Sequence, residues 1–209
     1  VGVIGYSKHA LRITGILSEI DSKLNFYFYN YKSLKLLPKI KNKHFKFVED
    51  LNLIKNCKII VICSPPNTHY KYLKKLISKE NYIFLEKPPV SKLIELKLIS
   101  KLKHKENIYF NFNYIYSDLY KYLITALNKK KYGKLVNLKI HISHGLAYKN
   151  INKKNNWRFA KQNINSISGN LGIHYIHMII KIFGKPKKTL INNLSIADKK
   201  FTDTSYILL

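Results

Sequence analysis

Three groups of residues in this sequence have types and spacings that could carry chemistry. The first follows two short apolar runs. Ile59–Cys63 stops at Ser64-Pro65-Pro66-Asn67-Thr68-His69, and Tyr82–Leu85 stops at Glu86-Lys87-Pro88-Pro89. One strand end thus offers Ser64, Asn67 and His69, and the next offers Glu86 and Lys87. The second is the turn Gly5-Tyr6-Ser7-Lys8-His9-Ala10. Gly5, Ser7 and Ala10 meet the spacing of a dinucleotide turn, with Ser where a second Gly is usual, and a helix N-terminus behind such a turn supplies N–H groups for phosphate. Without its context the same turn reads simply as a turn. The third is Ser168–His177. On a helix, Asn170, His174, His177 and Lys181 share one narrow stripe, and nearly everything else through Phe183 is apolar. A helix apolar most of the way round is expected to be buried, with its polar stripe on a cavity. A histidine there could equally be a satisfied core residue. No carboxylate or thiol stands near His174 and His177 in the sequence, so no metal site is expected.

The elements that must position these groups follow from periodicity. Val1–Ile4, Asn25–Tyr29, Ile59–Cys63, Tyr82–Leu85 and Ile108–Phe112 read as strands, and the runs before Ser64 and Glu86, apolar without alternation, read as buried on both faces. Phe47–Leu53 reads as a short strand and helix. Helical spacing appears at Leu11–Ile20, Tyr72–Ile77, Leu93–Leu102 and Leu119–Leu127. Strand, helix and strand in alternation predict a parallel sheet, whose ligands bind outside the carboxyl ends of its strands. After Gly133, Leu135, Leu138, Ile140 and Ile142 predict a strand with one polar face. The late helix ends at Gly184, with Pro186 beyond it. The predicted fold is α/β: a parallel sheet that gives way, near residues 112–118, to an α+β part.

Bulk composition narrows the classes. With 209 residues and 46% hydrophobic residues the chain can build a sizeable core. No apolar run reaches the length of a membrane span, and no signal segment opens the sequence. Cys57 and Cys63 read as reduced structural thiols, which fits a cytoplasmic location. The net charge of +27 invites a nucleic-acid partner, but Arg12 and Arg158 are the only arginines and the lysines are scattered. Base readout leans on arginine and on clustered charge. Coding bias, which brings Lys together with Ile, Asn and Tyr, accounts for the lysines more economically. Val1 already lies in a strand-like run and Ser205–Leu209 is strand-like again, so the sequence reads as part of a longer chain.

Gly5-x-Ser7-x-x-Ala10, then Ser64-Pro65-x-x-x-His69 with Glu86-Lys87-Pro88 after a helix, then Asn170-x-Gly172-x-His174 behind Trp157-Arg158 and Ser168-Gly169, occur in that order. Together they resemble the Gfo/Idh/MocA oxidoreductases over nearly the whole chain, which implies a Rossmann-type parallel sheet over residues 1–115, then a partial α+β domain on an open, mainly antiparallel sheet over 116–209. The resemblance implies an NAD(P)-dependent dehydrogenase acting on the CH–OH of a sugar or nucleotide sugar. It implies that Gly5, Tyr6, Ser7, Lys8, Ala10, Asn30, Lys32, Ser64, Pro65, Asn67, His69, Glu86 and Lys87 line the cofactor, and that Lys87, Trp157, Arg158, Asn170 and His174 meet the substrate. Lys87 would touch the reacting hydroxyl and His174 would be its general base. The acid expected near Asn30 for the ribose of NAD is absent; Asn30 could bond the ribose and Lys32 a 2′-phosphate, so NAD and NADP both stay open, while Lys32 could equally be one more solvated lysine. Asn170 stands where the family's helix carries Asp, which leaves it positioning but no proton transfer, and His177 replaces a further Asp. Asn at position 170 is similar to the subgroup that oxidises UDP-linked N-acetylamino-uronic acids. A homo-oligomer is implied for the full-length protein. The alternatives are a dinucleotide-binding relative without turnover and, more remotely, a basic nucleic-acid binder.

Overall fold

The computed structural model describes residues 1–29, 44–142, 167–196 and 204–209. The chain divides into two compact units, Val1–Asn111 and Phe112–Leu209.

In the first unit six strands form one parallel sheet: β1 (Gly2–Ile4), β2 (Phe26–Tyr29), β3 (Phe45–Phe47), β4 (Ile59–Ile62), β5 (Tyr82–Leu85) and β6 (Ile108–Phe110). Their order is β3-β2-β1-β4-β5-β6, so the direction of winding reverses between β1 and β4. Val3 pairs with Phe28 on one side and Val61 on the other; Val61 in turn pairs with Phe84. Val3, Ile4, Ile60, Ile62, Ile83 and Leu85 are inaccessible to solvent. Phe28 stacks on Phe47, and Phe26 meets Phe45 edge to face, which seals the β2–β3 end with aromatic area.

Helices α1 (Lys8–Ile20), α2 (Leu51–Lys55), α3 (Pro66–Leu76) and α4 (Leu93–Ile99) connect these strands. Each begins where its sequence allows. Ser7 caps α1 by accepting the Ala10 N–H, Asp50 caps α2 by accepting the Asn52 N–H, and Pro66 occupies the first turn of α3, where its missing N–H costs nothing. Asn81 ties the far ends together: its amide donates to Leu76 O (2.8 Å) and Lys55 O (3.2 Å).

One strand departs from expectation. β4 is buried, but β5 alternates, with Tyr82 and Phe84 exposed. Tyr109 of β6, itself exposed, stacks on Phe84 at 5.2 Å and lies tilted to Tyr82 at 6.2 Å, so the three rings share one open face.

The second unit holds α5 (Asp118–Asn128), capped by Ser117, a π-helical turn at Ser168–Gly172, α6 (Ile173–Phe183), and the antiparallel pair β7 (Leu190–Leu194) and β8 (Thr204–Leu208). Gly184 ends α6 with φ +81°, a conformation that side chains disfavour. Two expectations are corrected. Residues 135–142 form no strand, because alternation supplies a face but not a partner ladder. In α6 only His174 and Met178 are buried. Its Tyr175, Ile176 and Ile179 line an open groove of about 830 Å3 bounded by β8 and residues 135–142.

Candidate active site

At the carboxyl edge of the parallel sheet, Gly5 follows β1 with φ +92°. A Cβ there would lie 3.1 Å from both the Cα and the N of Ser64. Only glycine allows the turn after β1 to rest against the backbone after β4, and this happens at the point where the winding reverses. The residues behind it divide their tasks. Tyr6 turns its ring into the core against Phe28 and Phe47, so only its main chain lies on the turn. The Ser7 hydroxyl takes the Ala10 N–H. The N–H groups of Lys8 and His9 therefore open α1 without a partner inside the helix. Ala10 is fully buried, small enough for helix and sheet to close. A glycine cradle against a backbone, followed by open helical N–H groups, fits a dinucleotide pyrophosphate.

The loop after β4 is braced internally. Ser64 Oγ lies 2.6 Å from Thr68 Oγ1, which donates to Pro65 O. Asn67 is exposed on the first turn of α3. His69, expected beside a cofactor, is wholly buried: its Nε2 lies 2.7 Å from Ser64 O and its Nδ1 3.2 Å from Pro89 O. Burial pushes its imidazole below the usual range, outweighing the backbone contacts that favour the charged ring. It joins the loops after β4 and β5. Burial, and then the charge of Glu86, push the Cys63 thiol up, leaving it protonated.

Glu86, at the end of β5, is 9% exposed. His9 Nε2 lies 2.6 Å from its Oε1, Asn111 Nδ2 donates to the same oxygen, and the Lys87 N–H donates to Oε2 at 3.3 Å. Burial alone would raise this carboxyl, but the bonds from His9 and Asn111, the His9 charge and the Lys87 N–H together hold it below the usual range. Lys87 follows, half-buried, with a cis bond to Pro88. Sequence reasoning picked out Glu86 and Lys87 and missed His9 and Asn111 as their partners. The only signal was their place at an α1 turn and a strand end that a parallel sheet brings to one edge.

In the second unit, Tyr114 stacks on His174 with ring centres 4.3 Å apart and planes 10° from parallel. Phe112 stacks likewise on His177, also at 4.3 Å. The two histidines thus stack on aromatics just before α5, Phe112 and Tyr114, of which only Phe112 figures in the sequence pattern, as the end of a strand. Burial, then the nearby Lys181, lower the pKa of His177. Asn170 sits in the π-helical turn, which is wider than an α-helical one, so it does not continue the α6 stripe in phase as expected. Lys181, at the stripe's other end, is exposed. Asn30, Lys32, Trp157 and Arg158 lie outside the described residues. Among the described residues no group of three His, Cys, Asp or Glu could hold a metal, and no helix is long and apolar enough to cross a membrane.

Residues 1–114 match the sequence model of the GFO_IDH_MocA family, described as an oxidoreductase family with an NAD-binding Rossmann fold. The chain is 26% identical over 191 residues to glucose-6-phosphate 3-dehydrogenase of Bacillus subtilis, a match spanning 88% of this chain and 53% of that protein. The chain therefore spans about half the length of this curated relative. Among solved structures, the WlbA dehydrogenase of Bordetella pertussis, in complex with NADH and UDP-GlcNAcA, superimposes with a TM-score of 0.74 at 12% identity, over 99% of this chain and 61% of that one. A probable dehydrogenase of Thermotoga maritima gives 0.69 at 18% identity, over 99% and 63%. At such identities these two structures speak for the fold. Since the family model spans more than half of its residues, the chain belongs to the Gfo/Idh/MocA oxidoreductases, whose Rossmann fold binds NAD.

Proposed function

We propose that this chain is the dinucleotide-binding and partial substrate-binding portion of a dehydrogenase that oxidises the CH–OH of a sugar or nucleotide sugar, with Lys87 and His174 as its working pair. One observation carries the proposal: the Gly5 turn after β1 and Glu86-Lys87 after β5 stand at the carboxyl edge of one parallel sheet. The bound nicotinamide would supply the hydride acceptor. Gly5, Lys8 and the first turn of α1 would hold its pyrophosphate; Ser64, Pro65 and Asn67 would border it on the β4 side. The Lys87 ammonium would stabilise the alkoxide that develops as the sugar hydroxyl loses its proton. His174 would take that proton as general base. Asn170 would orient the sugar through hydrogen bonds only, and Trp157 and Arg158 would contact it.

The relative named for glucose-6-phosphate and the structural neighbour holding UDP-GlcNAcA both point to anionic sugars. A chain of net charge +27 suits such a substrate. The replacement of an acid by Asn170 favours a second reading, a relative that binds the dinucleotide without turning over. Nicotinamide fluorescence separates these cases. NADH or NADPH should bind saturably, and Gly5→Val should abolish binding because its side chain would meet the Ser64 backbone. With phosphorylated and uridine-diphosphate sugars as substrates, Lys87→Ala should lower turnover by about a hundredfold or more. Failure of both dinucleotides to bind would defeat the proposal, whereas binding with no turnover on any such sugar would leave the second reading.

A further inference from the structure

We infer that His9 is a positioning residue for the cofactor site: its hydrogen bond to Glu86 locks the first turn of α1 to the Glu86-Lys87 end of β5, so that the phosphate seat and the lysine are held as one piece. This rests on the dinucleotide-binding reading above. It concerns a contact that crosses the sheet. In the strand order β4 separates β1, which leads into α1, from β5. Asn111 and Glu86 belong to neighbouring strands already joined by the Asn111 N–H to Leu85 O bond, so their side-chain contact reinforces a link that the ladder makes anyway. His9 makes a link that no ladder supplies.

The form of the bond follows from what meets the ring. Arg12 Nη2 is 3.2 Å from His9 Nδ1. Nε2, the other ring nitrogen, faces Glu86 Oε1 2.6 Å away, and against a carboxylate oxygen it can only donate. His9 therefore works as a donor of fixed reach. Glu86 passes the constraint on: its other oxygen accepts the N–H of Lys87 and so fixes the main chain that carries the ammonium.

A donor of that reach can be imitated. The side-chain amide nitrogen of glutamine falls near the place of histidine Nε2; that of asparagine falls near Nδ1, one bond short of Glu86. NADH binding by the whole 209-residue chain, read by nicotinamide fluorescence alongside thermal melting, should weaken roughly tenfold in His9→Asn and in His9→Leu, and stay within about twofold of the unaltered chain in His9→Gln. All of these replacements sit on a partly exposed turn, and the polar pair, Gln and Asn, differs only in reach. His9→Asn binding as tightly as the unaltered chain would overturn the inference, as would His9→Gln binding as weakly as His9→Asn. An unaltered chain that binds no dinucleotide would instead remove the dinucleotide reading, and this inference with it.

Discussion

Glu86 stays ionised while almost buried because three donors meet it: His9, Asn111 and the Lys87 N–H. Its folded-state pKa lies below the ordinary value of 4.5, so its contribution to stability is complete above that value and is lost as the pH falls through the depressed folded one. Chemical unfolding of the natural chain and of Glu86→Gln should therefore differ by about 1–3 kcal/mol near neutral pH, since Gln turns an amide toward the Lys87 N–H. The gap should close in acid, below pH 4.5, where Glu86 itself takes up a proton. A difference that persists unchanged into acid would place the effect elsewhere. At this scale the sequence was informative about residue types at strand ends. It was silent about their partners, because His9 lies 77 residues from Glu86 and Asn111 lies 25 away.

Among the elements, Asn81 shows how a loop residue can carry a helix end. It is 1% exposed, and its amide satisfies the carbonyls of Leu76, in the last turn of α3, and of Lys55, in the last turn of α2. Asn81→Ala removes this donor from the buried Leu76 carbonyl and the part-buried Lys55 carbonyl. A loss of about 1–3 kcal/mol in unfolding free energy is expected, with NADH affinity unchanged because the residue lies at the opposite edge of the sheet from Gly5. The strands and helices of the first unit were legible because continuous apolar runs and helical spacing are local signals. The faces were less so. β5 reads as buried on both sides, yet Tyr82 and Phe84 are exposed beside Tyr109. Residues 135–142 carry a strand's alternation and find no ladder.

For the whole molecule, the net charge of +27 acts through long-range attraction rather than through the fold. If the substrate is an anionic sugar, its KM should rise severalfold between about 50 mM and about 500 mM salt, while that of an uncharged sugar stays nearly constant. Equal salt responses in the two series would show that the lysines do not draw in the substrate. From sequence alone the protein was determined as a Rossmann-type α/β chain with a glycine turn, a Glu-Lys pair and a late helix bearing Asn and His, because apolar period and turn chemistry depend on near neighbours. Tertiary structure decided that His69 braces loops rather than faces a ligand, that His9 and Asn111 hold Glu86, and that Tyr114 and Phe112 stack on His174 and His177. Those contacts join residues far apart along the chain, and only packing settles which of them meet.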